Sequence, residues 1–228
     1  MAALTLSQRT ARVIGLQAEK IWNVGLFAIL SAFFVSRLLL VAFNLRSFLA
    51  YPMLVLALPS LTYTGVWITC LLTFVYLRAK RLPLLPVLDA AAPCAAVVWL
   101  ALSVGHFVEG TDAGMPTRLP WGVVTPGDMV FGRVHPVQLY AALAALALGA
   151  GLLWMLPRRR WQGDAAVLLL GAGGMIDFLL SFLRQPAELF GDAWLDAEQG
   201  VALLLMLGGG VLFAMRRPLV EEGTLHAE

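Results

Sequence analysis

The sequence predicts an all-α membrane protein: one bundle of about six membrane-spanning helices, both termini cytoplasmic, with a long folded outer loop between spans three and four. Three observations predict it. Hydrophobic residues make up 60% of the chain and charged ones only 13%, against about 45–50% and 25% in soluble domains. The apolar residues fall into runs of roughly 20, the length that crosses the hydrocarbon of a bilayer. Basic clusters appear only at every second gap between those runs, as the positive-inside rule requires.

Taken in order, the runs cover 22–44, 53–77, 84–104, 134–156, 164–184 and 195–215. Arg9, Arg12 and Lys20 precede the first run, and Arg78, Lys80 and Arg81 follow the second. Arg158, Arg159 and Arg160 follow the fourth; Arg216 and Arg217 follow the sixth. If all six runs cross, these clusters share one side, which is then cytoplasmic. Residues 1–20 form a cytoplasmic segment without the continuous apolar core of a signal peptide, and 218–228 form a short acidic cytoplasmic tail. The whole chain is expected to be one integral-membrane domain. Trp22, Trp121, Trp161 and Trp194 lie near run ends, where interfacial aromatics belong.

The net charge of +2 says nothing about nucleic acid, because the basic residues are scattered between spans, and no nucleic-acid partner is expected. Cys70 and Cys94 sit inside apolar runs and read as small packing residues; no spacing suggests a disulfide or a metal site. No cofactor is implied. The segment 105–133 holds many glycines and prolines together with Phe107, Trp121 and Phe131. At that length a loop is usually functional or disordered, and its aromatics favour a folded, functional one.

Polar residues inside spans are costly and commonly handle substrate or headgroups. Arg37 lies seven residues before Asn44, about 10 Å from that helix end at 1.5 Å per residue. Arg133 and Arg184 lie at similar depth in other spans. Three guanidiniums at one depth suit a phospholipid phosphate, because the guanidinium is a permanently charged fork; three separate headgroup anchors are the plainer reading. Asp177, Ser181 and Arg184 share one helical face by i, i+4, i+7 spacing, so Asp177 either pairs within the bundle or orients a phosphate-binding arginine. His135 and Gln138 share a face by i, i+3 spacing while Tyr140 points elsewhere. His106, Glu109 and Asp112 cluster in the outer loop, and histidine is the natural proton acceptor near neutral pH.

Several segments resemble the prolipoprotein diacylglyceryl transferase family. Val35-Ser36-Arg37-Leu38 is similar to its G-A-R-L stretch, and Asp89-Ala90-Ala91-Ala92-Pro93 to D-x-x-A-P. Gly105-His106-Phe107-Val108-Glu109-Gly110 with Gly114 resembles G-N-F-x-N-G-E-x-x-G, and Pro116 to Val123 resembles P-T-x-L-P-W-G-V. His135-Pro136-Val137-Gln138-Leu139-Tyr140 resembles H-P-x-Q-L-Y-E, and Phe182-Leu183-Arg184-Gln185-Pro186 resembles F-x-R-Q-P. All six occur in family order over nearly the whole chain.

The polar set departs from the family's. Ser103 stands for an arginine, His106 and Glu109 for asparagines, Thr111 and Ala141 for glutamates, and Asp177 and Ser181 for an arginine and a glutamate. Tyr63-Thr64-Gly65 is all that matches H-G-G, and residues 1–20 resemble the loop that follows the family's first span, which this divergent, shortened member is expected to lack.

The resemblance implies diacylglyceryl transfer from phosphatidylglycerol to the lipobox cysteine thiol of a prolipoprotein, in a multi-pass protein of the bacterial inner membrane. On that reading Arg37, Arg133 and Arg184 bind the lipid phosphate. His106 or His135 takes the thiol proton, with Glu109 orienting it, while Gln138, Tyr140 and Asp177 position headgroup or substrate. The partners implied are phosphatidylglycerol and a lipobox peptide, and a monomer is expected. Two alternatives stay open: a non-catalytic member that binds anionic lipid or a lipoprotein, and a related transferase with another lipid or acceptor. No inverted repeat of the transporter kind is evident.

Overall fold

A computed structural model describes residues 1–50, 53, 63–111, 114–124, 132–184 and 196–218. The chain runs through α1 (Ala2–Val13), α2 (Ala18–Phe43), α3 (Leu45–Ala50), α4 (Tyr63–Ala79), α5 (Leu84–Glu109), α6 (Val137–Met155), β1 (Trp161–Gln162), α7 (Asp164–Ser181), α8 (Ala197–Met215) and β2 (Arg217–Pro218). Five of these helices are long and apolar enough to cross a membrane. α2 alone is 26 residues, about 39 Å at 1.5 Å per residue. Only 6% of its most apolar stretch is buried; without water's exclusion from that surface the arrangement would be untenable, so lipid is its natural solvent.

Six spans were expected; among the described residues five helices reach spanning length, and the second run is described only as the 17-residue α4, with residues 54–62 before it lying outside the described residues. Residues 1–20, expected only as a segment preceding the first span, hold α1, whose Leu4, Ser7, Thr10 and Ala11 recur three or four residues apart and are buried. That face packs on α2 and α5, where Thr10 Oγ1 donates to the Ala90 carbonyl at 2.8 Å. Asp112, Phe131, Gln185, Pro186, Trp194 and the tail from 219 lie outside the described residues.

The basic clusters gather at one end of the bundle. Ala11, Ile21, Leu77, Val87 and Ala90 form one apolar cluster there, which brings the ends of α1 and α4 to the starts of α2 and α5. β1 pairs antiparallel with β2, Trp161 opposite Pro218 and Gln162 opposite Arg217. Arg216 reaches Asp164 at 3.4 Å.

Asp89 locks this end. α7 starts after Gly163, whose φ of +100° favours a residue without Cβ, so no local side chain caps its free N–H groups. Asp89, fully buried on α5, supplies the cap from another helix. Its carboxylate accepts the amides of Gly163, Ala165 and Ala166 at 2.7, 2.9 and 3.2 Å, and Arg159 Nε lies 3.4 Å away. Burial pulls the Arg159 guanidinium below its ordinary pKa, while Asp89 and Asp164 push it back up; arginine stays charged through such shifts. Pro93 sits four residues on from Asp89, inside α5, and lacks the N–H that the Asp89 carbonyl would take.

α7 and α8 meet through glycines. A Cβ on Gly174 would stand 2.8 Å from the Ala202 carbonyl oxygen, and one on Gly209 3.0 Å from the Gly171 nitrogen. Such small-residue contacts let helix backbones approach in lipid, where no hydrophobic force draws them together.

Candidate functional site

The opposite end carries the polar residues singled out from sequence. α5 and α6 pack antiparallel, so His106, near the end of α5, and His135, just before α6, share this end. α5 stops at Gly110, φ +71°, where the left-handed turn lets the Thr111 amide reach the His106 carbonyl at 3.1 Å. His106 and Glu109 are both exposed on that last turn.

A short extended ladder builds the centre of the site. The Met115 amide donates to the Leu183 carbonyl at 2.8 Å, and the Met115 carbonyl accepts the His135 amide at 3.0 Å. Residues 114–117 therefore run between the His135 segment and the Arg184 segment, with Gly114 bridged to Arg184 and Pro116 to Val134. Val123 closes the outer edge, exchanging both backbone hydrogen bonds with Val134. Gly114 is needed for this approach: a Cβ there would overlap the His135 carbonyl oxygen and stand 2.8 Å from His135 Cβ and Val137 Cγ2.

His135 is not on a helix, contrary to the sequence reading. α6 begins at Val137, after Pro136, because a residue before proline is pushed out of the α region. The shift turns His135 toward Tyr140 rather than along a face with Gln138: the two rings lie edge to face, centroids 6.3 Å apart. His135 Nδ1 is buried and has no hydrogen-bond partner among the described residues. Tyr140 accepts a hydrogen bond on its hydroxyl from Trp121 Nε1 at 2.8 Å, and Gln138 is buried beside them at 6% exposure. Beneath lie Val137, Ala141 and Leu180.

The three arginines have different surroundings. Arg133 is exposed and donates to the Pro120 carbonyl at 3.3 Å. The Arg37 guanidinium lies 5.6 Å from the centre of the Phe48 ring. Arg184 is held on both terminal nitrogens, by Asp177 at 3.1 Å and by Glu198 at 2.6 Å. The Asp177 pairing agrees with the i, i+7 spacing. Ser181 does not join it, donating instead to the Phe178 carbonyl at 2.7 Å. Glu198 was not singled out, and neither was the Trp121 donor. Glu198 is 14 residues from Arg184; Arg184 lies beyond the end of α7 and Glu198 on α8, so no helical spacing links them.

A family model described as prolipoprotein diacylglyceryl transferase matches residues 1–215. The chain belongs to this family. Similar proteins carry the name phosphatidylglycerol–prolipoprotein diacylglyceryl transferase. One from Bordetella avium is 31% identical over 148 residues, 64% of this chain and 56% of that one. Another from Paracidovorax citrulli is 34% identical over 150 residues, 63% of this chain and 56% of its own. A third from Bordetella parapertussis is 32% identical over 159 residues, covering 68% and 60%. The chain thus aligns with little more than half the length of these relatives. Membership makes it a multi-pass protein of a bacterial family that sits in the inner membrane.

Two of the positions at which the sequence reads as departing from the family motifs are buried. Ala141, where H-P-x-Q-L-Y-E ends in glutamate, is fully buried against Val137 and Leu180. Ser103, in place of an arginine, is 3% exposed.

Proposed function

We propose that the chain transfers a diacylglyceryl group from phosphatidylglycerol to the cysteine thiol of a prolipoprotein lipobox. The family match over residues 1–215 carries this reading, and the geometry around Met115 supports its placement at the His135 end. Basic clusters at the other end support a cytoplasmic position for that end, by the positive-inside rule. The site then opens at the outer leaflet.

In this mechanism the thiol, with an ordinary pKa of about 8.5, gives its proton to histidine as the sulfur attacks. His135 is the favoured base, because its buried Nδ1 has no hydrogen bond from a described residue; His106, oriented by Glu109, is the other. Sulfur bonds to the glyceryl carbon that bears the phosphate. The carbon–oxygen bond breaks, and glycerol phosphate leaves with the electron pair. Arg133 and Arg37 stabilise that leaving charge. Arg184 contributes less, because the carboxylates of Asp177 and Glu198 already offset its charge. Gln138 and Tyr140 position the headgroup, and Asp177 holds Arg184.

One observation favours a second reading, a member that binds anionic lipid or lipoprotein without turnover. Arg184 faces two carboxylates, which offset its charge and weaken the stabilisation of a departing phosphate that turnover needs. Purified protein incubated with phosphatidylglycerol vesicles and a lipobox peptide separates the two. A thioether-linked diacylglyceryl peptide is expected; lipid or peptide binding without that product transfers the assignment to the second reading.

A further inference from the structure

The basic end of the bundle holds a cavity that the proposed reaction does not use. Its volume is about 280 Å³, and it opens between the end of α4, the start of α5 and the β1–β2 ladder. Arg78 and Arg217 contribute cations, Gln162 an amide, and Leu82, Leu84 and Met215 an apolar wall.

The two arginines at the end of α8 are used differently. Arg216 is spent inside the fold, 3.4 Å from Asp164 with its guanidinium 3.7 Å from the Phe213 ring centre and 5.2 Å from that of Trp161. Arg217 is exposed and makes no ion pair or hydrogen bond through its side chain with any described residue. Yet its backbone is fixed, because it pairs with Gln162 in the ladder. Arg78 is likewise exposed; its guanidinium only rests 5.8 Å from the Phe74 ring centre. The turn that presents Arg78 closes with the Leu82 amide on the Leu77 carbonyl at 3.0 Å. Arg81 occupies the left-handed position of that turn, φ +53°, where glycine would be relaxed and a side chain is disfavoured. A third cation thus stands in the same turn against the local backbone preference.

We propose that this cavity binds one anionic phospholipid, its phosphate between Arg78 and Arg217 and its acyl chains along Leu82, Leu84 and Met215. Guanidinium forks match phosphate oxygens. The adjoining apolar wall suits a lipid rather than a free anion, for which it offers nothing. The site is separate from the one at His135 and does not depend on turnover.

Native mass spectrometry of the full chain in neutral detergent, with added phosphatidylglycerol or phosphatidylcholine, tests this. In an Arg37→Gln/Arg133→Gln background, which disables the lipid site proposed at the His135 end, the protein should retain one phosphatidylglycerol that phosphatidylcholine does not replace. The further variants are made in that background. Arg78→Gln/Arg217→Gln should lower that occupancy at least about tenfold, given the attraction each juxtamembrane cation supplies. Arg9→Gln/Arg12→Gln removes the same charge from α1 and should leave it intact. Met215→Glu, a charge placed in the wall at an exposed position, should also expel the lipid if the arginine pair proves necessary for folding. Equal losses in the two double variants would reduce the effect to surface charge, and displacement by inorganic phosphate alone would make it an anion site. Either outcome, or full retention in Arg78→Gln/Arg217→Gln and Met215→Glu, overturns the proposal.

Discussion

Asp89 and Ala165 are 76 residues apart in the chain, yet Asp89 Oδ1 accepts the Ala165 amide at 2.9 Å. One side chain thereby fastens the middle of the sequence to the start of α7. Substituting Asp89 by alanine would leave the Gly163, Ala165 and Ala166 amides and the Arg159 cation without their buried partner. Breaking a buried charge pair costs about 3–5 kcal/mol. We expect Asp89→Ala to lower the melting temperature in detergent sharply and Asp89→Asn, which keeps an acceptor oxygen, to do so less. Equal melting of wild type and Asp89→Ala would show that the cap is dispensable.

Gly114 gives a test of how the site is built. Alanine there would force the His135 carbonyl away and disturb the Met115 ladder. Overpacking of this kind typically costs about 1–3 kcal/mol. Because the strain falls on the His135 segment, product formation should drop while the detergent elution profile of Gly114→Ala stays unchanged. Full activity would mean that the 114–117 ladder does not position the histidine.

The Trp121–Tyr140 hydrogen bond predicts a smaller effect. Indole N–H is only a donor, so it occupies a lone pair of the Tyr140 oxygen and leaves the phenolic hydrogen free to donate. Trp121→Phe keeps the ring and removes the donor, a change worth about 0.5–1.5 kcal/mol for an ordinary hydrogen bond. We expect weaker phosphatidylglycerol binding in an equilibrium titration, and Tyr140→Phe should weaken it at least as much. Unaltered binding in both variants removes Tyr140 from headgroup positioning.

Much of the fold was legible because lipid imposes a simple rule on sequence. Apolar runs of spanning length and alternating basic clusters located five long helices, and those clusters do gather at one end. α1 was missed because its buried face uses small and polar residues, Ser7, Thr10 and Ala11, which no hydropathy window detects. The start of α6 was read too early, although Pro136 carried the signal that His135 lies outside the helix. At the site, Asp177–Arg184 agreed with the helical spacing although α7 ends at Ser181, three residues before Arg184. Glu198–Arg184 and Trp121–Tyr140 join separate elements, and Gly114–His135 depends on a backbone approach; only the folded chain brings these pairs together.

The histidines carry the chemical claim. Removal of a positioned general base typically costs about 10²–10⁴-fold in rate. His135→Gln keeps polarity and rough size, and it should lower turnover by at least about 100-fold, with His106→Gln affected less. The reverse order would move the base to the end of α5. Normal turnover in both variants would remove histidine from the proton transfer.

The most direct test follows both products of one reaction. With phosphatidylglycerol labelled in its glycerol headgroup and a lipobox peptide, wild type should release glycerol phosphate and form thioether-linked peptide in equal amounts, and both should fall together in His135→Gln. Wild-type protein that retains phosphatidylglycerol but forms neither product would contradict the transferase assignment.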